Sequence, residues 1–236
     1  MLTFEHTIQV LVIGGSSGIG FAIAKLFHQQ GATVTLAGRS AARLRQAAQD
    51  IGADITIEPL DVMQPAELER FFARPTRWHH IIVTAASLTF GPLKTVSLED
   101  ARRIFDSKFW AAYHIARLAQ FDERGSLTLV SGRFAQRAGP QTALISAVNS
   151  GIEGLARGLA SELSPVRVNV LSPGFVDTGM HPEPLVQKMS QRSLLLPVKR
   201  IAQPEDIASA ALLLAINPMI SGTVLAVDGG DSVTFT

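Results

Sequence analysis

Apolar residues along the chain follow two alternating rhythms. Short β-branched runs, at residues 8–13, 33–37, 54–58, 81–84, 126–130, 167–171 and 223–227, are nearly continuous in their apolarity. Such runs suit strands covered on both faces, as in a parallel sheet. Between them, apolar positions recur at helical spacing over residues 18–30, 41–50, 65–72, 98–120, 142–163 and 204–215. Several helix ends carry stop or start signals. Gly31 follows the first, Ser40 precedes the second, and Ser97 with Asp100 forms a capping pattern ahead of the fourth. Gln203-Pro204-Glu205-Asp206 places proline and acids in a first turn. Strict strand–helix alternation predicts an α/β fold, a doubly wound parallel sheet with right-handed crossovers and helices on both faces.

With no linker, repeat or break in composition, the pattern reads as a single domain over residues 1–236. Residues 177–203, with Pro182, Pro184 and Pro197, are the least regular stretch. Following a strand end, they read as a lid over a ligand or as a plain surface excursion.

Composition narrows the classes. A net charge of +1 gives no electrostatic reason for a nucleic-acid or membrane partner. Without cysteine there is no disulfide, thiolate nucleophile or cysteine-held metal, which fits a reducing cytoplasm. His79-His80 matches no metal-ligand spacing, so no metal site is expected. Met1 to His6 carry an acid and lack the basic and apolar regions of a signal peptide. The longest apolar run, 208–216, is too short to span a bilayer.

One turn stands apart. Ile13-Gly14-Gly15-Ser16-Ser17-Gly18-Ile19-Gly20 joins the first strand to the first helix. Gly14, Gly18 and Gly20 permit a sharp turn, close backbone approach to a phosphate and tight helix–strand packing. The helix N-terminus offers unpaired N–H groups to an anion. A strand-to-helix turn without a ligand accounts for the same glycines.

Taken with Asp61-Val62, Arg167-Val168-Asn169-Val170, Ser172-Pro173-Gly174-Phe175-Val176-Asp177-Thr178 and Asp228-Gly229-Gly230, this turn resembles the short-chain dehydrogenase/reductase family over nearly the whole chain. The resemblance implies a Rossmann-type sheet of about seven strands, order 3-2-1-4-5-6-7, holding NAD or NADP at the carboxyl ends of its strands. Ser16, Ser17 and Ile19 would line the pyrophosphate, and Asp61 and Val62 the adenine. Thr84-Ala85-Ala86-Ser87 stands where the family has Asn-Asn-Ala-Gly, so Ala85 and Ala86 keep the backbone open to the ribose. Pro173, Gly174, Val176 and Thr178 match the segment that holds the nicotinamide carboxamide. At the end of the second strand an NAD enzyme usually has an acid. Here Gly38 is followed by Arg39 and Ser40, and an arginine suits a 2′-phosphate. NADP is therefore expected over NAD.

The family's catalytic residues do not carry over. Its tyrosine and lysine align with Ile145 and Asn149, and its serine with Gly132, beside Ser131. Tyr113, the sole tyrosine, is out of register. The family's helix-four asparagine aligns with Lys108. Asparagine and lysine thus read as exchanged between 108 and 149, keeping one ammonium in the pocket. A desolvated lysine can serve as acid or base, so Lys108, with Ser131 or a water, is the candidate replacement; a purely structural Lys108 paired with Asp106 or Asn149 stands beside it. Arg133 and Arg137 read as greeting an anionic substrate or as solvated, and His181 as a lid acid–base group.

Three functions follow. The first is an NADP-dependent oxidoreductase with a non-standard acid–base group, acting on a small-molecule carbonyl or alcohol. The second is an inactive NADP-binding protein or partner subunit in a mixed oligomer, and the third a lyase or isomerase using the same pocket. The family commonly associates through the fourth and fifth helices. Phe105, Phe109, Trp110 and Tyr113 on the fourth suit a homodimer or homotetramer.

Overall fold

The apolar runs become strands, the inner five buried along their centres and the two at the sheet edges partly exposed. The computed structural model describes residues 8–87, 89, 91–179 and 181–234, so the reading of Met1 to His6 lies outside it, as does Met180 within 177–203. The strands are β1 (Gln9–Ile13), β2 (Thr33–Gly38), β3 (Thr56–Pro59), β4 (Trp78–Val83), β5 (Phe121–Val130), β6 (Arg167–Pro173) and β7 (Val224–Val227). They form one parallel sheet in the order β3-β2-β1-β4-β5-β6-β7, as the family resemblance implies.

Side chains alternate across the pleat and feed two cores. Leu11, Ile13, Ile81, Val83, Leu127, Leu129, Val168 and Val170 point to one face. There they meet α3 (Pro65–Phe72), α5 (Ala111–Leu118) and α6 (Ala143–Glu162). Val10, Val12, Leu36, Ile82 and Leu171 point to the other, against α1 (Gly18–Gln29), α2 (Ala41–Ile51) and α8 (Pro204–Ile216). Covering by helices on both sides removes any polar face, which is why the strands read as unbroken hydrophobic runs.

Three elements differ from the sequence pattern. The expected fourth helix is interrupted: α4 (Leu98–Phe105) and α5 flank a π-helical segment, Asp106–Trp110. A π turn adds a residue without changing which side chains are apolar, so periodicity alone does not reveal it. β5 begins at Phe121 rather than 126, and its pairing with β4 shifts register between Trp78 and His80. Asp122-Glu123-Arg124 hides this start behind polar residues.

The irregular stretch after β6 contains a helix, α7 (Glu183–Ser193), that the apolar periodicity does not mark. Only Ser193 of that helix is buried, so it carries no apolar stripe to be read. The excursion is pinched at its neck. Val176 bridges Ala202, and the Asp177 N–H donates to the Ala202 carbonyl at 2.9 Å.

Candidate functional site

Strand order reverses at β1: β2 lies on one side and β4 on the other. The crevice beyond the carboxyl ends of β1 and β4 is where an open α/β sheet receives a ligand. The glycine turn fills it. The Gly14 N–H donates to the Ala37 carbonyl at 2.8 Å, and the Thr84 N–H donates to the Ile13 carbonyl at 2.8 Å. A β-carbon on Gly14, whose φ is +93°, would lie 2.7 Å from the Ala85 nitrogen. One on Gly20 would lie 2.6 Å from Thr84 Oγ1. Gly18 adopts φ +54° at the first residue of α1. The two turns are thus in van der Waals contact at positions where only glycine fits.

The other expected dinucleotide contacts line the same sheet edge. Ser16, Ser17 and Ile19 are half-buried on the turn. Val62 is buried, and the half-buried Asp61 accepts from the Met63 N–H at 3.0 Å. Ala85 is half-buried and Ala86 exposed beyond β4. Pro173 ends β6; Gly174 packs on Asp228, which a β-carbon would meet at 3.0 Å, and Val176 is buried. Thr178 Oγ1 is the one buried side-chain polar atom among the described residues with no hydrogen-bond partner. Buried polar atoms are rarely left unpaired. A hydroxyl lacking a partner in the segment expected to hold a carboxamide fits a nicotinamide dinucleotide.

Around the β2–α2 junction the chain is basic. Arg39 is exposed, while the Ser40 side chain accepts from the Arg43 N–H at 3.3 Å and caps α2. The Arg43 Nη2 donates to Ser17 Oγ at 3.1 Å, linking this junction to the glycine turn. Sequence reasoning singled out Arg39 and missed Arg43. The available signal was a basic side chain in the first turn of α2, where a helix normally prefers acids.

The second cluster lies over the ends of β5 and α6. The π segment turns both Ser107 and Lys108 inward; they are 3% and 8% exposed. Ser107 Oγ accepts from the Ser87 N–H at 2.9 Å, tying the loop after β4 to this segment. The Lys108 ammonium donates to the Asn149 Oδ1 at 2.6 Å and to the Ser131 carbonyl at 2.9 Å. Asn149 Nδ2 donates in turn to the Gly132 carbonyl at 3.3 Å. Ser131 Oγ donates to Glu153 Oε1 at 2.9 Å, so the serine meets Lys108 through its backbone rather than its hydroxyl. Burial pushes the Lys108 pKa down to about 8, against an opposing pull from Glu153.

Gly132, at φ +156°, leaves no room for a side chain facing Asn149: a β-carbon would lie 3.1 Å from its Nδ2. Ile145 is 3% exposed and packs with Ile104 and Val148, bordered by Phe105, Phe109 and Phe134. Tyr113 stands well outside, 40% exposed on α5 and edge-on to Trp110.

The arginines after Ser131 hold the chain's own C-terminal segment. Arg133 pairs with Asp231 at 2.8 Å, and Arg192 of α7 reaches the same carboxylate at 3.3 Å. Arg137 donates to the carbonyls of Asp231 and Thr234. His181 lies against the Phe175 ring, 4.9 Å between centroids. A cavity of about 690 Å³ lies between α7 and α8, lined by Asp177, Ser190, Leu194, Arg200 and neighbours. None of its lining residues belongs to the glycine turn or the Lys108 cluster. The chemistry-bearing groups converge elsewhere. Among the described residues no helix is long and apolar enough to cross a membrane.

Comparison with known proteins agrees with this fold. Residues 14–232 match the family described as enoyl-(acyl carrier protein) reductase. The short-chain dehydrogenase/reductase malC of Malbranchea aurantiaca is 33% identical, with 94% of this chain and 93% of that protein aligned. The 3-oxoacyl-[acyl-carrier-protein] reductase FabG of Chlamydia muridarum is 32% identical over 93% of this chain and 95% of its own length. The solved structure of the MalC reductase/Diels–Alderase from Malbranchea aurantiaca superposes with a TM-score of 0.88 at 32% identity. It covers 97% of this chain and 96% of its own.

Proposed function

The chain belongs to the short-chain dehydrogenase/reductase family, and from that premise we propose that it is an NADP-dependent oxidoreductase in which Lys108 takes the place of the family's tyrosine. The observation that carries this reading is the buried Lys108 ammonium, held to Asn149 of α6 at 2.6 Å. Relatives described as reductases support a carbonyl or alcohol as substrate.

The glycine turn and the Thr178 segment would hold the dinucleotide, with Asp61 and Val62 at the adenine and Ala85 and Ala86 at the ribose. Arg39 and Arg43 select the phosphorylated form, since a guanidinium offers a 2′-phosphate charge-assisted bonds. A bound nicotinamide supplies or accepts the hydride. The protein must then move one proton at the substrate oxygen. An ammonium has three N–H donors, and Ser131 and Asn149 take two of Lys108's. The third is the one it can give. A group whose pKa lies near working pH transfers protons most effectively, and burial brings Lys108 to about 8.

One observation favours a second reading. Ile145 is sealed in an apolar cluster and has no proton to transfer, which suits a dinucleotide-binding protein or partner subunit without turnover. A panel of carbonyl substrates with NADPH, followed by loss of its absorbance, separates the two. Turnover supports the oxidoreductase. Tight NADPH binding with no turnover of any substrate replaces it with the binding protein.

We also read the outer faces of α4, α5 and α6 as the contact of a homodimer or homotetramer, because Trp110 and Tyr113 are 48% and 40% exposed. A monomer by light scattering overturns that. The lack of cysteine suits a cytoplasmic setting.

A further inference from the structure

Glu153 has no counterpart in the cofactor chemistry, yet it is 8% exposed and faces the site. It sits one helical turn beyond Asn149 on α6, so the two side chains project from the same face toward the end of β5. There Ser131 stands between two buried charged groups. Its hydroxyl donates to Glu153 Oε1 at 2.9 Å, and its carbonyl accepts from Lys108 Nζ at 2.9 Å. One residue thereby couples an acid on α6 to an amine on the π segment. Its own N–H is fixed to the sheet by the Leu171 carbonyl at 2.9 Å.

We propose that Glu153 is a positioning residue for this site, acting through Ser131 to hold its carbonyl against Lys108 and biasing that amine toward its ammonium form. This rests on the reading of Lys108 as the proton donor. Burial alone drives an amine toward neutrality. Glu153 on α6 is the charged group that opposes burial at Lys108. Without the acid the donor would be neutral across more of the working pH range.

The test is a ¹³C NMR titration of protein carrying ¹³Cε-lysine, the Lys108 signal being the one absent from Lys108→Met. Glu153→Gln preserves shape and can still accept from Ser131, but removes the charge; Glu153→Asp keeps the charge and draws it back. The expected order of Lys108 midpoints is wild type, then Asp, then Gln, with the Gln variant lower than wild type by about one pH unit. A Gln midpoint equal to wild type, or an Asp midpoint at or below Gln, overturns the proposal. If Glu153→Gln does not fold, an Asp midpoint unchanged from wild type overturns it and a lowered one supports it. The titration needs no substrate, so it decides this point even if the protein turns nothing over. Where turnover exists, the alkaline limb of the pH–rate profile moves with the same midpoint.

Discussion

Lys108 on the π segment and Asn149 on α6 meet in a 2.6 Å hydrogen bond between residues 41 positions apart. The resemblance had aligned each with the residue type found at the other. In the proposed exchange one amine and one amide share the site, with the amine coming from the π segment and the amide from α6. Contact at this distance also restricts where the amine can go, because both Asn149 and Ser131 hold it.

Removing the amine should therefore stop chemistry and spare binding. Lys108→Met is expected to lower kcat by about 10²- to 10⁴-fold, the usual worth of general acid–base help, while NADPH affinity stays within a few-fold. Steady-state rates beside a fluorescence titration check it. A variant as active as wild type would return Lys108 to a structural role.

Dinucleotide choice should depend on two arginines. Arg39→Ala and Arg43→Ala are each expected to weaken NADPH by roughly tenfold or more, the worth of a charge-assisted hydrogen bond, with NADH little changed. Titrating both reduced cofactors against each variant measures this. Wild-type protein binding NADH more tightly than NADPH would refute the NADP preference outright.

The contact between the two turns predicts a severe effect from one methyl group. On Gly20→Ala the new carbon would sit 2.6 Å from Thr84 Oγ1. Overpacking of this kind costs about 1–3 kcal/mol, and separating the turns should also abolish dinucleotide binding. Thermal unfolding and an NADPH titration together test it; unchanged values in both would mean the turns part freely.

Acid sensitivity should trace in part to His80. Burial holds its pKa down at about 3, and Ser126 Oγ lies 2.8 Å from its Nδ1. The unfolded chain binds this proton near the ordinary value of 6.5 and the native protein does not until about 3. Between those limits the unfolded state carries more protons, so stability falls as pH falls, with a slope of up to about 1.4 kcal/mol per pH unit. His80→Phe should flatten that part of the curve in urea unfolding at pH 4 to 7. An unaltered slope would assign the acid loss to other groups.

Much of the fold could be read because burial writes itself into the strands. Leu11, Ile13, Ile81 and Val83 are apolar because one core demands it, and Val10, Val12 and Ile82 because the other does. Function at the surface leaves no such mark. α7 buries only Ser193 and so reads as loop. The π segment shifts the helical phase by one residue, which inverts Lys108 without altering composition. Arg43 acquires meaning only when folding carries it to Ser17, 26 residues earlier. Asp231 was likewise silent, since its role is to gather Arg133 and Arg192 from two distant elements. The glycine turn was legible because its geometry depends on backbone alone.

The bridge between Val176 and Ala202 has a consequence for how such a protein diversifies. With its two ends clasped, the intervening segment leaves β6 and enters α8 at one fixed gate. Lengthening a loop raises its closure cost by only about 0.6 kcal/mol per doubling. Segments of different length and chemistry can therefore be exchanged at that gate while the strands, the glycine turn and the Lys108 cluster stay in place. The segment between Val176 and Ala202 is a replaceable cassette on a fixed chassis.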